Sequence, residues 1–181
     1  MMQVSSSGPY ERLSALERLG YAHRAELPSQ AEVRDEWVGV GFRLGGRPYV
    51  AAMGEITEIL TYPELSRVPH AKPWVRGIAN VRGNLLPVMD LSGYLDKGRS
   101  NPNRLSRVLV IEQNGLVAGL LVDEVLGMRR FFDEDWHDGN PHSDDVVGAY
   151  VTGVYRRDGA DWPVFSMAAL ASDPQFLKVA E

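Results

Sequence analysis

The chain has 181 residues, 44% of them hydrophobic and 24% charged, with a formal net charge of −5 and no cysteine. That balance suits one ordinary globular domain, or two small subdomains sharing a core. It excludes a disulfide framework, a thiolate metal site and a Cys nucleophile, and it argues against general attraction to nucleic acid or anionic lipid.

The 18 glycines and 11 prolines favour many turns over a helical bundle. Residues 1–8 are small and polar, with no basic region followed by an apolar run, so no secretory leader is expected. Residues 9–19 read as a helix. Gly8-Pro9 can start it, Gly20 can stop it, and Leu13, Leu16 and Leu19 form a narrow apolar stripe. Such a helix either packs on the chain's own core or docks a partner. Residues 21–36 are mixed and charged and read as a linker. The longest apolar stretch, 116–122, is too short to span a bilayer, so no membrane insertion is expected.

From Trp37 the pattern alternates in the strand period through Leu44, and Gly45-Gly46-Arg47-Pro48 is a turn. Strands are expected over 49–53 and 56–60, then a loop over 61–71. The stretch 72–90 follows. Pro73 can open a single turn, and Gly77 can close it in the left-handed conformation. Runs 78–81 and 85–91 read as strands around Arg82-Gly83-Asn84, a hairpin-like turn that offers Arg82 to solvent. Pro87 points to a strand edge or bulge, and Asp90 stands where a short helix at 91–95 needs an N-cap.

Residues 96–103 are turn chemistry. Strands are expected over 107–112 and 116–122 around an Asn-Gly hairpin signal, and the strand pattern continues over 125–130. Residues 131–145 read as an acidic, irregular loop. The last strands fall at 146–155 and 162–165, with a short helical segment at 166–171 and a tail over 175–181.

The two halves repeat one another. Gly46 and Gly115 sit in equivalent turns at an offset of 69, as do Glu55-Ile56 and Glu124-Val125. Val81-Arg82-Gly83 is matched with Val151-Thr152-Gly153 at an offset of 70, and Pro87 with Pro163 at 76. The jump between those offsets is assigned to residues 156–161. Asp90 and Ser166 both fall at helix N-caps.

Catalytic motifs are missing from this reading. His23 and His70 are isolated. His137 and His142 lie in the acidic run 133–145, where Gly139 stands seventh from Asp133 and a calcium loop wants glycine sixth. No Gly-x-Ser-x-Gly elbow and no phosphate-loop glycine pattern occurs. No metal and no cofactor is expected. Arg82, Arg107, Arg129 and Arg130 are dispersed among acids, unlike the basic, aromatic groove of a single-strand nucleic-acid binder.

The pieces Ile56-Thr57-Glu58-Ile59, Trp74-Val75-Arg76-Gly77, Asn80-Val81-Arg82-Gly83, Leu86-Pro87-Val88-Met89-Asp90-Leu91 and 119–125 resemble, in order and spacing, the signature of the CheW family. Those are the adaptor proteins of bacterial chemosensory arrays. The resemblance runs from about Trp37 to Leu170. With its N-terminal extension, the chain is most similar to adaptors of type IV pilus (twitching motility) systems.

The resemblance implies a mainly β fold of two packed, intertwined five-stranded SH3-like barrels. Strand count points the same way, since closing a sheet removes its exposed edges. The expected division is an extension over 1–36, subdomains of about 37–96 and 104–174, and the tail. The resemblance also implies a cytoplasmic, non-enzymatic adaptor recruited to membrane-associated arrays. Its partners would be the regulatory domain of a CheA-type histidine kinase and the cytoplasmic tip of a methyl-accepting chemoreceptor.

By the same resemblance, Ile56, Glu58, Arg82 and Met128 are receptor-binding, and Gly77 is kinase-binding. Four of them have a plainer alternative. A turn arginine such as Arg82 is more often a solvated surface charge or the partner of a local carboxylate, Ile56 and Met128 read as core, and Gly77 as a structural turn. The rival functions are a small-ligand enzyme with a site between the barrels, and a kinase regulatory module that works without a receptor.

Overall fold

The computed structural model describes residues 36–142 and 145–179. The helix expected over 9–19 and the linker after it lie outside the described residues.

Among the described residues eleven strands form two curled sheets. The first hairpin joins β1 (Glu36–Leu44) to β2 (Arg47–Ala52), and a single 3-10 turn, Met53–Glu55, leads to β3 (Glu58–Thr61). The second hairpin joins β4 (Val75–Val81) to β5 (Asn84–Asp90) and runs directly into the short helix α1 (Leu91–Tyr94). The second half repeats this order. It has β6 (Arg107–Gln113), β7 (Leu116–Val122), β8 (Glu124–Phe132), the two-residue β9 (Trp136–His137), β10 (Val151–Arg157), β11 (Ala160–Phe165) and α2 (Met167–Ala171). A last turn of helix, α3, covers Pro174–Leu177.

Four two-residue hairpin turns carry the connections. Their central pairs are Gly45-Gly46, Arg82-Gly83, Asn114-Gly115 and Asp158-Gly159, all eight residues with positive φ. Positive φ at both central positions is the turn whose twist matches that of the flanking strands, which is why glycine stands second in each.

The sequential halves are not the sheets. One sheet has the order β8-β1-β2-β11-β10-β9, the other β3-β6-β7-β5-β4. Each sheet therefore takes its first hairpin from one half and its remaining strands from the other. The division at 37–96 and 104–174 separates halves of the repeat, and six strands stand in one sheet where five were expected. The exchange is sealed by two short parallel pairings, Val88 with Gly119 between β5 and β7, and Val164 with Val50 between β11 and β2.

The repeat is therefore legible in register. Val164 is 76 residues from Val88, and Gly119 is 69 from Val50. The bulge at Val75/Gly77 in β4 recurs at Val151/Gly153 in β10, again offset by 76. Ser66 bridges Ile78 as His137 pairs with Val154, so β9 is the counterpart of a single bridge. The match of Val81-Arg82-Gly83 with Val151-Thr152-Gly153 is corrected. Thr152 and Gly153 lie inside β10, and the counterpart of Arg82-Gly83 is the turn Asp158-Gly159, at the same offset of 76.

Asp90 and Ser166 occupy the expected N-caps, each accepting from the amide three residues on. Other expectations shift. The turn opened by Pro73 ends with Val75 N donating to Lys72 O, and Gly77 lies at the bulge of β4, just after the extra residue Arg76. Pro87 lies just before the β7 pairing begins at Val88, so its missing N–H leaves no gap in that ladder. Residues 131–137 are more ordered than a loop. Phe131 is buried at the end of β8, a 3-10 turn covers Asp133–Asp135, and Trp136 returns to the sheet. Val146–Tyr150 is a 3-10 turn rather than the start of a strand.

The expected tail contains α3. Phe176 is buried, and Asp173 caps the helix through Gln175 N at 2.7 Å. Asp173 also accepts from the hydroxyls of Tyr150 and Tyr94. Burial, then the bond to Asp173, pushes the Tyr150 hydroxyl far above its ordinary range, so Tyr150 is a neutral donor to a carboxylate. The main core, with Phe42, Tyr49, Leu91, Leu109, Leu120, Phe165, Met167 and Phe176, takes side chains from both sheets and from all three helices.

Candidate docking site

The turn after β4 presents Arg82 with positive φ, and its side chain is 78% exposed. Asn80 Oδ1 accepts from Gly83 N at 2.9 Å, which braces the turn locally. β3 lies across the same sheet. Glu58 stands at its start, opposite Val110, and Glu58 Oε1 accepts from Arg82 Nη2 at 2.7 Å. An exposed pair like this contributes only about 0–1 kcal/mol to stability. Its guanidinium keeps further donors free to meet a carboxylate or carbonyl.

Beside the pair lies a shallow cleft of about 160 Å³ that also touches Leu85, Val110 and Val117. Leu85 is 73% exposed and Val117 45%. An ion pair rimming exposed aliphatic side chains has the anatomy of a recognition surface: apolar contact for affinity, charge for register and selectivity. The sequence places Leu85 and Val117 inside apolar runs. Which face each occupies follows only from register, since successive strand residues point to opposite faces.

The structure brings Glu58 and Arg82 together. Ile56, two residues before Glu58, is half-buried and packs against the main core. Met128 is 59% exposed, on β8 in the other sheet, opposite Val40. Ile59 pairs with Leu109 and Met128 with Val40, both offset by 69, so the counterpart of Met128 is Ile59 and that of Ile56 is Val125. Ile59 is exposed too, which gives each sheet one outward aliphatic side chain on its edge-proximal strand. Gly77 is buried, with φ of +146°, and a Cβ there would lie 2.5 Å from Ser66 O. Its backbone role is structural.

The buried ionisable group nearest these elements is Asp90, and its oxygens are used internally. Oδ1 accepts from Gly93 N and Ser100 Oγ, Oδ2 from Ser100 N, and Arg76 Nη1 lies 3.7 Å away. Among the described residues no group of three or more His, Asp or Glu is placed to hold a metal, and no helix is long and apolar enough to cross a membrane.

Two interleaved, curled β-sheets with a charged turn beside an aliphatic cleft make up the described fold, and that fold is the one of a scaffold-type family. The chain belongs to the CheW family: residues 38–175 match the CheW-like domain. It is 42% identical over 172 residues to Protein PilI of Pseudomonas aeruginosa PAO1, covering 95% of this chain and 96% of that one. It is 30% identical over 129 residues to Protein FrzA of Myxococcus xanthus, covering 71% and 80%. The crystal structure of the scaffolding protein TtCheW from Thermoanaerobacter tengcongensis shares the fold, with a TM-score of 0.68 at 23% identity over 77% of this chain and 95% of that one.

Proposed function

We propose that this chain is a cytoplasmic, non-enzymatic adaptor that couples the cytoplasmic tip of a methyl-accepting chemoreceptor to the regulatory domain of a CheA-type histidine kinase, in a system controlling type IV pilus twitching motility. The observation that carries the reading is the Arg82–Glu58 pair beside the cleft of Leu85 and Val117. Family membership and the likeness to Protein PilI support the choice of partners.

The adaptor acts by geometry. Receptor tip and kinase occupy separate surfaces, and transmission requires contacts that differ between the two signalling states. Arg82, Glu58, Leu85 and Val117 form the receptor face. Gly77 acts on kinase coupling indirectly, by holding the Ser66 backbone against β4. Ile56 sets the position of Glu58 from beneath, and Met128 belongs to a separate surface on the other sheet.

The test is reconstitution with a receptor cytoplasmic fragment and a kinase regulatory domain, read by co-sedimentation. The protein should bind both, and Arg82→Glu should bind only the kinase. Binding of the kinase with no measurable receptor binding by the unaltered protein would instead leave a receptor-independent regulatory module.

A further inference from the structure

The six-stranded sheet carries an aromatic cluster that the docking site does not use, in which Trp37, Trp136 and Trp162 are half-buried against Val50, Phe131, Tyr155 and Val164. Trp37 on β1 and Trp136 on β9 both pack on Tyr155 of β10, each with ring centroids 5.0 Å away, at interplanar angles of 33° and 68°. Between them opens a cavity of about 370 Å³, reached also by Asp133, Thr152 and Val164. That volume is in the range of small-ligand sites.

The repeat supplies an internal control. The positions equivalent to Trp37, Trp136 and Tyr155 are Ser106, Leu65 and Ala79, at the offsets of 69, 71 and 76 set by the strand register. Val164 keeps its counterpart, Val88. Ala79 and Leu65 pack in a core with Val88, Val108 and Leu121, so the same fold closes over smaller side chains there and carries three larger, aromatic ones at the equivalent core positions here. Gly153 makes room for Trp136 in particular, because a Cβ there would stand 2.1 Å from the indole ring.

The chemistry of the pocket favours a cation. Ring faces carry negative charge density and attract ammonium or guanidinium groups. The same cluster already does so once: the Arg129 guanidinium lies 4.9 Å from the Trp162 ring centroid. Among the described residues no cation lies over Trp37 or Trp136, while Tyr155 is buried beneath them and stacked on Phe131 at 4.5 Å. Asp133 stands at the rim with no ion-pair partner among the described residues. Burial, followed by the charges of Asp133 and Asp135, holds the Tyr155 hydroxyl above its ordinary range.

We propose that Trp37, Trp136 and Tyr155 form a binding site for an alkylated ammonium group of a small organic cation, with Asp133 as its counter-charge. The experiment titrates the full chain with choline chloride at constant ionic strength and reads intrinsic tryptophan fluorescence. Two comparison ligands are used: 3,3-dimethylbutan-1-ol, the neutral isostere of choline, and Nα-acetyl-lysine methylamide.

Choline should give a saturable change, and the neutral isostere should bind at least tenfold more weakly. Trp136→Leu, which installs the residue the first half uses, should abolish the response. Asp133→Asn should weaken binding several-fold with an unchanged melting temperature. Binding of the lysine amide as tight as that of choline would support the same chemistry with a protein side chain as the natural source. No saturable change, equal binding of the neutral isostere, or a full response in Trp136→Leu would each overturn the site. Should Trp136→Leu fail to fold, Asp133→Asn and the isostere still decide.

Discussion

Asp90 and Ser166 cap equivalent helices 76 residues apart, and each accepts from the amide three residues on at 3.1 Å, Gly93 N in one case and Ala169 N in the other. Their surroundings differ. Asp90 is fully buried and also holds Ser100 and Arg76. At Ser166 the extra acceptor comes from the other half of the chain: Glu55 takes Met167 N at 3.0 Å and Ala168 N at 3.3 Å.

That asymmetry sets unequal costs. Ser166→Ala should cost about 1 kcal/mol, the usual worth of a cap, because Glu55 still satisfies part of the helix terminus. Asp90→Ala leaves a half-buried Arg76 and the Ser100 donors without their acceptor, and should cost about 3–5 kcal/mol. Urea denaturation of the two variants measures the difference. Equal losses would mean that Asp90 acts as a cap alone.

Arg82→Glu tests the docking face. The substitution removes one exposed ion pair and should change stability by no more than about 0.5–1 kcal/mol. Replacing attraction with repulsion at a desolvated interface should weaken receptor-tip binding by about 2–5 kcal/mol while leaving kinase binding in place. Thermal unfolding and titration calorimetry read the two effects separately. Unchanged receptor binding would return Arg82 to an ordinary surface charge.

The bulge glycines separate backbone from side-chain constraint. Gly77→Ala meets Ser66 O with unfavourable φ, whereas Gly153→Ala meets only the ring of Trp136. Both should destabilise. Trp136→Leu should rescue most of the loss in Gly153→Ala, and Leu65→Ala should rescue none of the loss in Gly77→Ala. A double-mutant cycle gives the coupling energy directly, and a coupling near zero between Gly153 and Trp136 would contradict the packing described.

His142 gives a pH dependence. Burial first, then Arg47 and Lys97, lowers its pKa, with Asp145 opposing. A lowered folded-state value means that the unfolded chain takes the proton more readily. The contribution of His142 is therefore complete above the unfolded value of about 6.5 and is lost as pH falls below it, towards the lower folded value. His142→Gln should flatten the stability curve in that window. An identical slope in the variant would show that another group titrates.

The C-terminal helix closes the core. Truncation after Pro174 removes Phe176, and deleting a buried Phe side chain costs about 3–5 kcal/mol. Lys72 N also loses its bond to Val179 O. Such a chain should unfold at clearly lower denaturant than the full protein, and an unchanged midpoint would return 175–181 to the status of a tail.

The features legible in the order of residues are local. Paired positive-φ turns at Gly45-Gly46, Arg82-Gly83 and Asn114-Gly115, the caps at Asp90 and Ser166, most strand spans and the existence of a repeat are written in residues that act within a few positions of themselves. The family signature, read as a pattern, carried the barrel architecture. Which hairpin joins which sheet emerges from long-range pairing alone, because the parallel pairings of Val88 with Gly119 and Val164 with Val50 join residues far apart and leave no local mark. Long-range contacts also decide that Leu85 and Val117 face outward, that Phe176 faces inward, and that Asp158-Gly159 is the partner of Arg82-Gly83. In an unbroken apolar run composition is the same on both faces, and only register against a neighbouring strand tells core from surface.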